Sequence, residues 1–371
     1  MTAISTESTL ILKELEIEGY ERVVEVKDPS VGLHGIIVIH STRLGPALGG
    51  IRMHTYASFE SALNDALRLS KGMTYKASII EAGLGGGKSV IIGDPRTDKT
   101  PELLEAFGRA IDACSGAYIG AEDAGMTPTD LEHIKKGTHF LVGLEHEKSS
   151  GNPCIYTTWG TFWGIRACAQ KLFGSWDLRG KKVAMQGMGG VGSLLAELLY
   201  WEGVDLTISD IHEEKAEAVR KKTGAKVVSV DAIYDVECDF FVPCALGGIL
   251  NDDTLPRLKC KAIAGCTNNQ LATEVHGEVL FKKGILYAPD FVINAGGLIN
   301  VTHEISETGY DRISPRDGLC KIYQTLMKIF EVSESKDISP EAASCLIAEE
   351  NVEKCIGKRE KGAVFHHANL S

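Results

Sequence analysis

Short apolar runs alternate along this chain with longer amphipathic stretches, and their spacing predicts an α/β protein. Residues 33–40 (Leu-His-Gly-Ile-Ile-Val-Ile-His) are a β-branched run preceded by turn residues, the pattern of a buried strand. Over about 58–72, Ala62, Leu63, Ala66, Leu67 and Leu69 recur on one helical face, with Ser58 as N-cap and Gly72 as the closing residue. Another strand is expected at 88–93. A helix is then expected from Thr100-Pro101, an N-cap with proline at the first helical position, and Leu103, Phe107, Ala110, Ile111 and Cys114 form its core-facing stripe.

The polar, turn-rich Lys148-Ser-Ser-Gly-Asn-Pro153 predicts a hinge between domains. A helical segment follows at about 158–173. The pattern then becomes strand 182–186, helix 190–202, strand 206–209, helix 212–223, and strands at 226–228, 240–242 and 262–264. Strands alternating with helices imply a parallel sheet covered on both faces. From about 318 the chain reads as helical to its end, with Leu319, Ile322, Tyr323, Leu326 and Ile329 as an apolar stripe; 358–371 reads as a loose tail.

A length of 371 residues supports two domains. The expected division is 1–150 plus 336–371 for one domain and 151–335 for the other. A formal net charge of −11 argues against a nucleic-acid or anionic-membrane partner, since both demand an excess of lysine and arginine. No apolar run approaches the roughly 20 residues of a membrane helix. The first twenty residues carry Glu14, Glu16 and Glu18 rather than a basic region and an apolar core, so no signal peptide is expected and the cytoplasm is the expected location. The ten cysteines form no CxxC pair and no HExxH occurs, so the expectation is reduced thiols and no metal.

Gly187-Met-Gly189-Gly190-Val191-Gly192 is a G-x-G-x-x-G between a predicted strand and a predicted helix. In that setting the first glycine allows a tight turn, the second lets backbone approach a pyrophosphate, and the third packs helix against strand. The diphosphate then lies on a helix N-terminus. Asp210 ends the next strand, where an acid accepts hydrogen bonds from ribose hydroxyls and repels a 2′-phosphate. The expectation is a Rossmann doubly wound domain that binds NAD rather than NADP.

Residues 82–89 (Ala-Gly-Leu-Gly-Gly-Gly-Lys-Ser) fall one residue short of a P-loop, with Ala82 in place of the first glycine. A P-loop opens a helix, whereas Ser89-Val-Ile-Ile-Gly-Asp-Pro95 is strand-like. The alternative is Lys88 as a catalytic lysine on a flexible glycine-rich approach, with Lys76 twelve residues earlier. Two lysines in one pocket divide the work: one pairs with a carboxylate, while the other, pushed to a lower pKa by burial and its neighbour, serves as a base. From the residues alone, solvated surface lysines are an equal reading. Asp123 reads either as a proton shuttle for the lysine or as a capping acid. Gly45-Pro-Ala-Leu-Gly-Gly50 reads as a turn or as amides facing a carboxylate.

These segments together resemble the Glu/Leu/Phe/Val dehydrogenase family, and within it the leucine dehydrogenases most. The matches are Gly45 to Gly50, Met73-Thr-Tyr-Lys76, Gly85-Gly-Gly-Lys88, Ala121-Glu-Asp123, Gly151-Asn-Pro153, the 187–192 motif, Pro243-Cys-Ala-Leu-Gly247, Asn268-Asn-Gln270 and Val292-Ile-Asn-Ala-Gly-Gly297, in family order. The resemblance implies a mixed α/β domain for substrate binding and homo-oligomerisation, an NAD-binding domain, and an active site in the cleft between them. It implies Lys88 and Asp123 as catalytic residues. Lys76 and the Gly49 and Gly50 amides would hold the substrate carboxylate, with Met73 beside them. Leu48, Ala121, Val142 and Leu298 would surround the substrate side chain, and Asn294 would touch the substrate side. Thr157, Ala245 and Asn268 would join the glycine motif and Asp210 around NAD.

The implied reaction is oxidative deamination of an L-amino acid to a 2-oxo acid and ammonia. A branched-chain substrate is the first expectation. An aromatic one, and a non-catalytic NAD-binding scaffold, are the alternatives. Val142 and Leu298 depart from the Thr and Val usual in leucine dehydrogenases and make the pocket more apolar. Residues 154–159 also depart from the family's usual run.

Overall fold

In the computed structural model residues 9–144, 146–147 and 149–369 are described. Lys148 of the expected hinge, residues 1–8 of the N-terminal segment read for a leader, and the last two residues of the tail lie outside them. The chain divides into two compact units: 1–151 with 301–311 and 351–371, and 152–300 with 312–350.

The first unit is built on a six-stranded mixed sheet. Its elements are β1 (Ile11–Glu14), β2 (Arg22–Asp28), β3 (Leu33–Ser41), β4 (Ala47–His54), α1 (Phe59–Ile79), β5 (Gly85–Ile92), α2 (Pro101–Asp112), β6 (Tyr118–Glu122) and α3 (Pro128–Ile134). The strand order is β1-β2-β3-β5-β4-β6. Strands β1, β2, β3 and β5 pair antiparallel, whereas β4 lies parallel to both β5 and β6. Alternation along the strands feeds two cores. Ile37, Ile39, Ile51 and Ile91 pack with Leu103, Phe107 and Ile111 of α2. Ile36, Val38 and Val90 pack on the other face with Ala62 and Ala66 of α1.

Ser58 caps α1 in a reciprocal box with Ser61, but Gly72 does not close the helix. The helix runs seven residues further, to Ile79, because Thr74, Ala77, Ser78 and Ile79 continue its buried side. That packing outweighs the roughly 1 kcal/mol cost of an interior glycine. The glycine-rich approach to Lys88 is not a loop either. Gly85 to Gly87 open β5 itself, buried between β3 and β4.

The second unit carries an all-parallel sheet. Its elements are α4 (Cys154–Phe173), β7 (Lys182–Gln186), α5 (Gly190–Trp201), β8 (Asp205–Ser209), α6 (Glu213–Thr223), β9 (Lys226–Val227), β10 (Phe240–Pro243), β11 (Ala262–Ile263), α7 (Val275–Lys282), β12 (Leu286–Tyr287), α8 (Asp290–Ile293), α9 (Gly296–Thr302), α10 (Ile313–Gly318), α11 (Cys320–Lys336) and α12 (Pro340–Glu353). Strand order β12-β11-β10-β7-β8-β9 reverses direction between β7 and β10. It is the doubly wound dinucleotide-binding order, and such sheets bind ligands at that reversal.

The C-terminal region differs from its reading as continuous helix with a loose tail. Asp337, in the left-handed region, separates α11 from α12, the last α-helix ends at Glu353, and a 3-10 turn follows at His366–Asn369. Residues 336–350 group with the second unit, where Ser339 donates to Glu278 and Glu341 covers Gly277. Residues 301–311 group with the first, where Glu304 accepts from the Gly143 and Ser150 amides. The tail is docked: Arg359 bonds the Leu44, Gly83 and Ile305 carbonyls, and buried His367 bonds the His139 carbonyl. No helix among the described residues is long and apolar enough to cross a membrane.

Candidate active site

In the first unit the chemistry gathers on the α1 face of the sheet. Lys88 lies on β5 and is only 5% exposed. Its Nζ donates to Oδ2 of Asp123, which follows β6. The same oxygen accepts from Arg52 Nε at 3.0 Å. Arg52 stands two residues after Gly50 on β4, so strand alternation points both to one face. Arg52 Nη1 in turn donates to Asp65 of α1 at 2.9 Å, and Asp65 also accepts from Tyr56 and Arg68.

Glycine at 50 is dictated by this pair. A Cβ there would lie 2.6 Å from Asp123 Cβ and 2.9 Å from Lys88 Nζ. Gly49 faces the other way, where a Cβ would meet the Gly87 carbonyl oxygen at 1.9 Å. Tyr118 of β6 ties the strands together, donating to the Gly49 carbonyl at 2.9 Å and lying 3.0 Å from the Ser89 hydroxyl. At Gly86 a Cβ would lie 2.0 Å from the Thr74 amide nitrogen, so α1 rests directly on β5. Met73 and Lys76 flank that contact along α1, both half-buried. Leu48 of β4 pairs in register with Gly86, and Gly50 with Ala121 of β6. Beside Ala121, Val142 donates its amide to the Gly120 carbonyl and is buried.

Burial and neighbouring charges shift the proton affinities of both members of the pair. Burial pulls the Lys88 ammonium below the ordinary lysine value, with the Arg52 charge adding to the effect and Asp123 opposing it. Burial works against an ionised Asp123, yet Lys88 and Arg52 overcome it and hold the carboxyl below its usual value. One group thus loses its proton more readily than a free lysine, and its partner remains a carboxylate.

In the second unit the glycine motif forms the turn from β7 into α5. Gly187 has φ 94°, in the left-handed region that favours glycine. A Cβ at Gly192 would lie 2.0 Å from the Gly187 carbonyl oxygen, so strand and helix meet with no room for a side chain. Around Gly189 the structure leaves open space, and no side chain caps the α5 N-terminus at Gly190 and Val191. Asp210 accepts from the Met188 amide at 2.5 Å and the His212 amide at 2.8 Å. Ala245, after β10, borders Gly187 across the sheet reversal. These features fit a dinucleotide: an open backbone, uncapped helix amides for a diphosphate, and a fixed acid one strand over.

Two further groups complete this side. Asn294 is buried, and its amide donates to Asn268 Oδ1 at 2.6 Å and to the Cys266 carbonyl at 3.1 Å. Thr157, in the first turns of α4, faces Gly297 of α9, and Leu298 follows it, buried. Arg52 and Asp65 are absent from the residues singled out in the sequence. The Gly50-Ile-Arg52 alternation was the only signal for Arg52, and nothing local marks Asp65.

Residues 20–139 match the family model described as Glu/Leu/Phe/Val dehydrogenase, dimerisation domain, and 154–332 that described as Glutamate/Leucine/Phenylalanine/Valine dehydrogenase. The leucine dehydrogenase of Thermoactinomyces intermedius is 48% identical over 344 residues, which is 92% of this chain and 93% of that protein. The phenylalanine dehydrogenase of Bacillus thermotolerans is 43% identical over 364 residues, covering 96% and 94%. The crystal structure of L-tryptophan dehydrogenase from Nostoc punctiforme superimposes with a TM-score of 0.83 at 43% identity, over 91% of this chain and 96% of that one.

Proposed function

Because the chain belongs to the Glu/Leu/Phe/Val dehydrogenase family of amino-acid dehydrogenases, we propose that it catalyses reversible NAD-dependent oxidative deamination of a branched-chain L-amino acid. The buried Lys88–Asp123 pair, with glycine at 50 leaving space against it, is the observation that carries this reading.

Lys76 and the Gly49 and Gly50 amides hold the substrate carboxylate, and Met73 lies beside them. NAD, when bound, supplies the hydride acceptor. Loss of hydride leaves an iminium at Cα, to which water adds. Lys88, with its lowered proton affinity, takes the proton from that water as the C–O bond forms. Asp123 takes a proton from the substrate ammonium before hydride is lost, returns it to the nitrogen of the carbinolamine, and then accepts the carbinol hydroxyl proton, so that ammonia departs as the carbonyl forms. The Lys88 charge then stabilises the developing oxyanion. Gly187, Gly189, Gly190, Val191 and Gly192, at the turn into the uncapped α5 N-terminus, would hold the diphosphate. Asp210 takes the ribose hydroxyls and disfavours a 2′-phosphate. Ala245, Asn268 and Thr157 complete the cofactor contacts, and Asn294, read as a substrate-side residue, holds the Asn268 side chain in place.

Leu48, Ala121 and Val142 of the first unit and Leu298 of the second, the residues expected around the substrate side chain, are all apolar, which supports an aliphatic substrate. The phenylalanine and tryptophan dehydrogenases among the relatives favour a second reading, an aromatic one. The match to a dimerisation domain supports self-association. A panel of L-amino acids mixed with protein and either NAD or NADP, followed by absorbance of the reduced cofactor, tests the reaction, the substrate and the cofactor. The expected result is turnover of leucine, valine or isoleucine with NAD. One methylene more or less should alter kcat/KM by about 10–200-fold. Reduction of neither cofactor with any amino acid leaves a non-catalytic scaffold and refutes the proposal.

A further inference from the structure

We propose that Arg52 is a positioning residue of this site: braced by Asp65, it fixes the orientation and charge of the Asp123 carboxylate that Lys88 uses. The inference rests on Lys88 and Asp123 being the proton-transfer pair.

Asp123 follows the end of β6 and has no strand ladder of its own to hold it. Its Oδ2 is shared between Lys88 Nζ and Arg52 Nε. Because a lysine in proton transfer must gain and lose its charge, Lys88 alone cannot keep Asp123 fixed through the cycle. Arg52 remains charged throughout. Its planar fork reaches two carboxylates at once, Nε to Asp123 at 3.0 Å and Nη1 to Asp65 at 2.9 Å. The Tyr56 hydroxyl donates at 2.8 Å to the same Asp65 oxygen, Oδ2, that Arg52 engages, and Arg68 donates at 3.0 Å to the other, Oδ1. A relay of alternating charge therefore runs from α1 through β4 to the carboxylate after β6.

The charged and titratable groups around the pair are Lys88 on β5, Arg52 on β4, Asp65 and Arg68 on α1, Tyr56 between β4 and α1, and Tyr118 on β6. Lys76 lies further along α1. Within this set the Arg52 charge acts in one direction on both members: it lowers the proton affinity of Lys88 and of Asp123. Its removal raises both, and the acid limb of the deamination rate, where Lys88 must be neutral, moves to higher pH.

The test is the pH profile of kcat/KM for the full-length enzyme with NAD and its best amino acid, alongside the melting temperature of each variant. Arg52→Gln is expected to move the acid limb upward by about one pH unit and to lower the plateau. Arg52→Lys restores the charge but not the fork. It is expected to return the limb to its parental position while the plateau kcat stays several-fold low. A rate loss by the same factor at every pH in Arg52→Gln, with the limb unmoved, would show a merely structural role and overturn the proposal. Should Arg52→Gln not fold, Arg52→Lys decides: parental limb and parental plateau together overturn it. Lys88→Met separates this failure from that of the underlying reading. If Lys88→Met keeps parental turnover, the proton-transfer pair itself is wrong. If it is inactive, the Arg52 profiles stand as the judgement on Arg52 alone.

Discussion

Gly49 and Gly50 are neighbours on one strand, yet alanine at each should fail in a different way. At Gly50 a new Cβ would stand 2.6 Å from Asp123 Cβ, 2.9 Å from Lys88 Nζ and 3.1 Å from Asp123 Cγ. Ordinary contact begins at 3.4 Å, so the Asp123 side chain must retreat by about 0.8 Å. The atoms that a Cβ at Gly50 would meet belong to side chains rather than backbone, so the stability cost should lie within about 1–3 kcal/mol. A displacement near 1 Å at the reacting groups costs about 10²-fold in rate, equivalent to about 2.7 kcal/mol of barrier. Gly50→Ala should therefore fold, bind NADH normally and lose about 10²-fold in kcat/KM. At Gly49 the obstruction is the Gly87 carbonyl oxygen at 1.9 Å, backbone of the adjacent strand. Gly49→Ala should lower the melting temperature sharply, with activity lost as a consequence. Steady-state NADH formation, NADH fluorescence titration and thermal melting of both variants make the comparison. Parental kcat/KM in Gly50→Ala would refute the placement of the reaction at the Lys88–Asp123 pair.

Three other outcomes are expected. Gly192→Ala puts a Cβ 2.0 Å from the Gly187 carbonyl oxygen; fluorescence titration should show NADH affinity weakened by at least about tenfold, as the α5 amides draw back from the diphosphate. Deletion of residues 358–371 removes the Arg359 bonds to Gly83 and Ile305 and the His367 bond to His139, and urea unfolding should report a loss of about 2–4 kcal/mol. Lys88 has a folded value below its unfolded value of about 10.4, so the unfolded chain binds more protons between the two. Stability should climb as pH rises toward about 10.4, and urea midpoints across that rise should lose this slope in Lys88→Met.

The second unit was largely legible because each of its elements has one periodicity and one boundary signal. The strand at Lys182–Gln186 and the helix after it follow from two apolar runs separated by the Gly187–Gly192 motif. The strand β12 and the helix α7 before it were not read from the sequence. In the first unit the reading failed at the functional strands themselves. Gly45 to Gly50 and Gly85 to Gly87 have the composition of turns, yet most of their residues lie in β4 and β5. Propensity counts glycine against a strand because it lacks a side chain to pack. Here that lack is what lets Gly87 backbone, the Thr74 turn of α1 and the Lys88 ammonium all come close. The pairing of Lys88 with Asp123 spans 35 residues and that of Arg52 with Asp123 spans 71. Only the register of β4 between β5 and β6 brings them together, and no local window contains it. Sequence rules thus break where backbone must be bare and charges must converge, and a glycine-rich strand beside a buried lysine marks the site through its conflict with propensity.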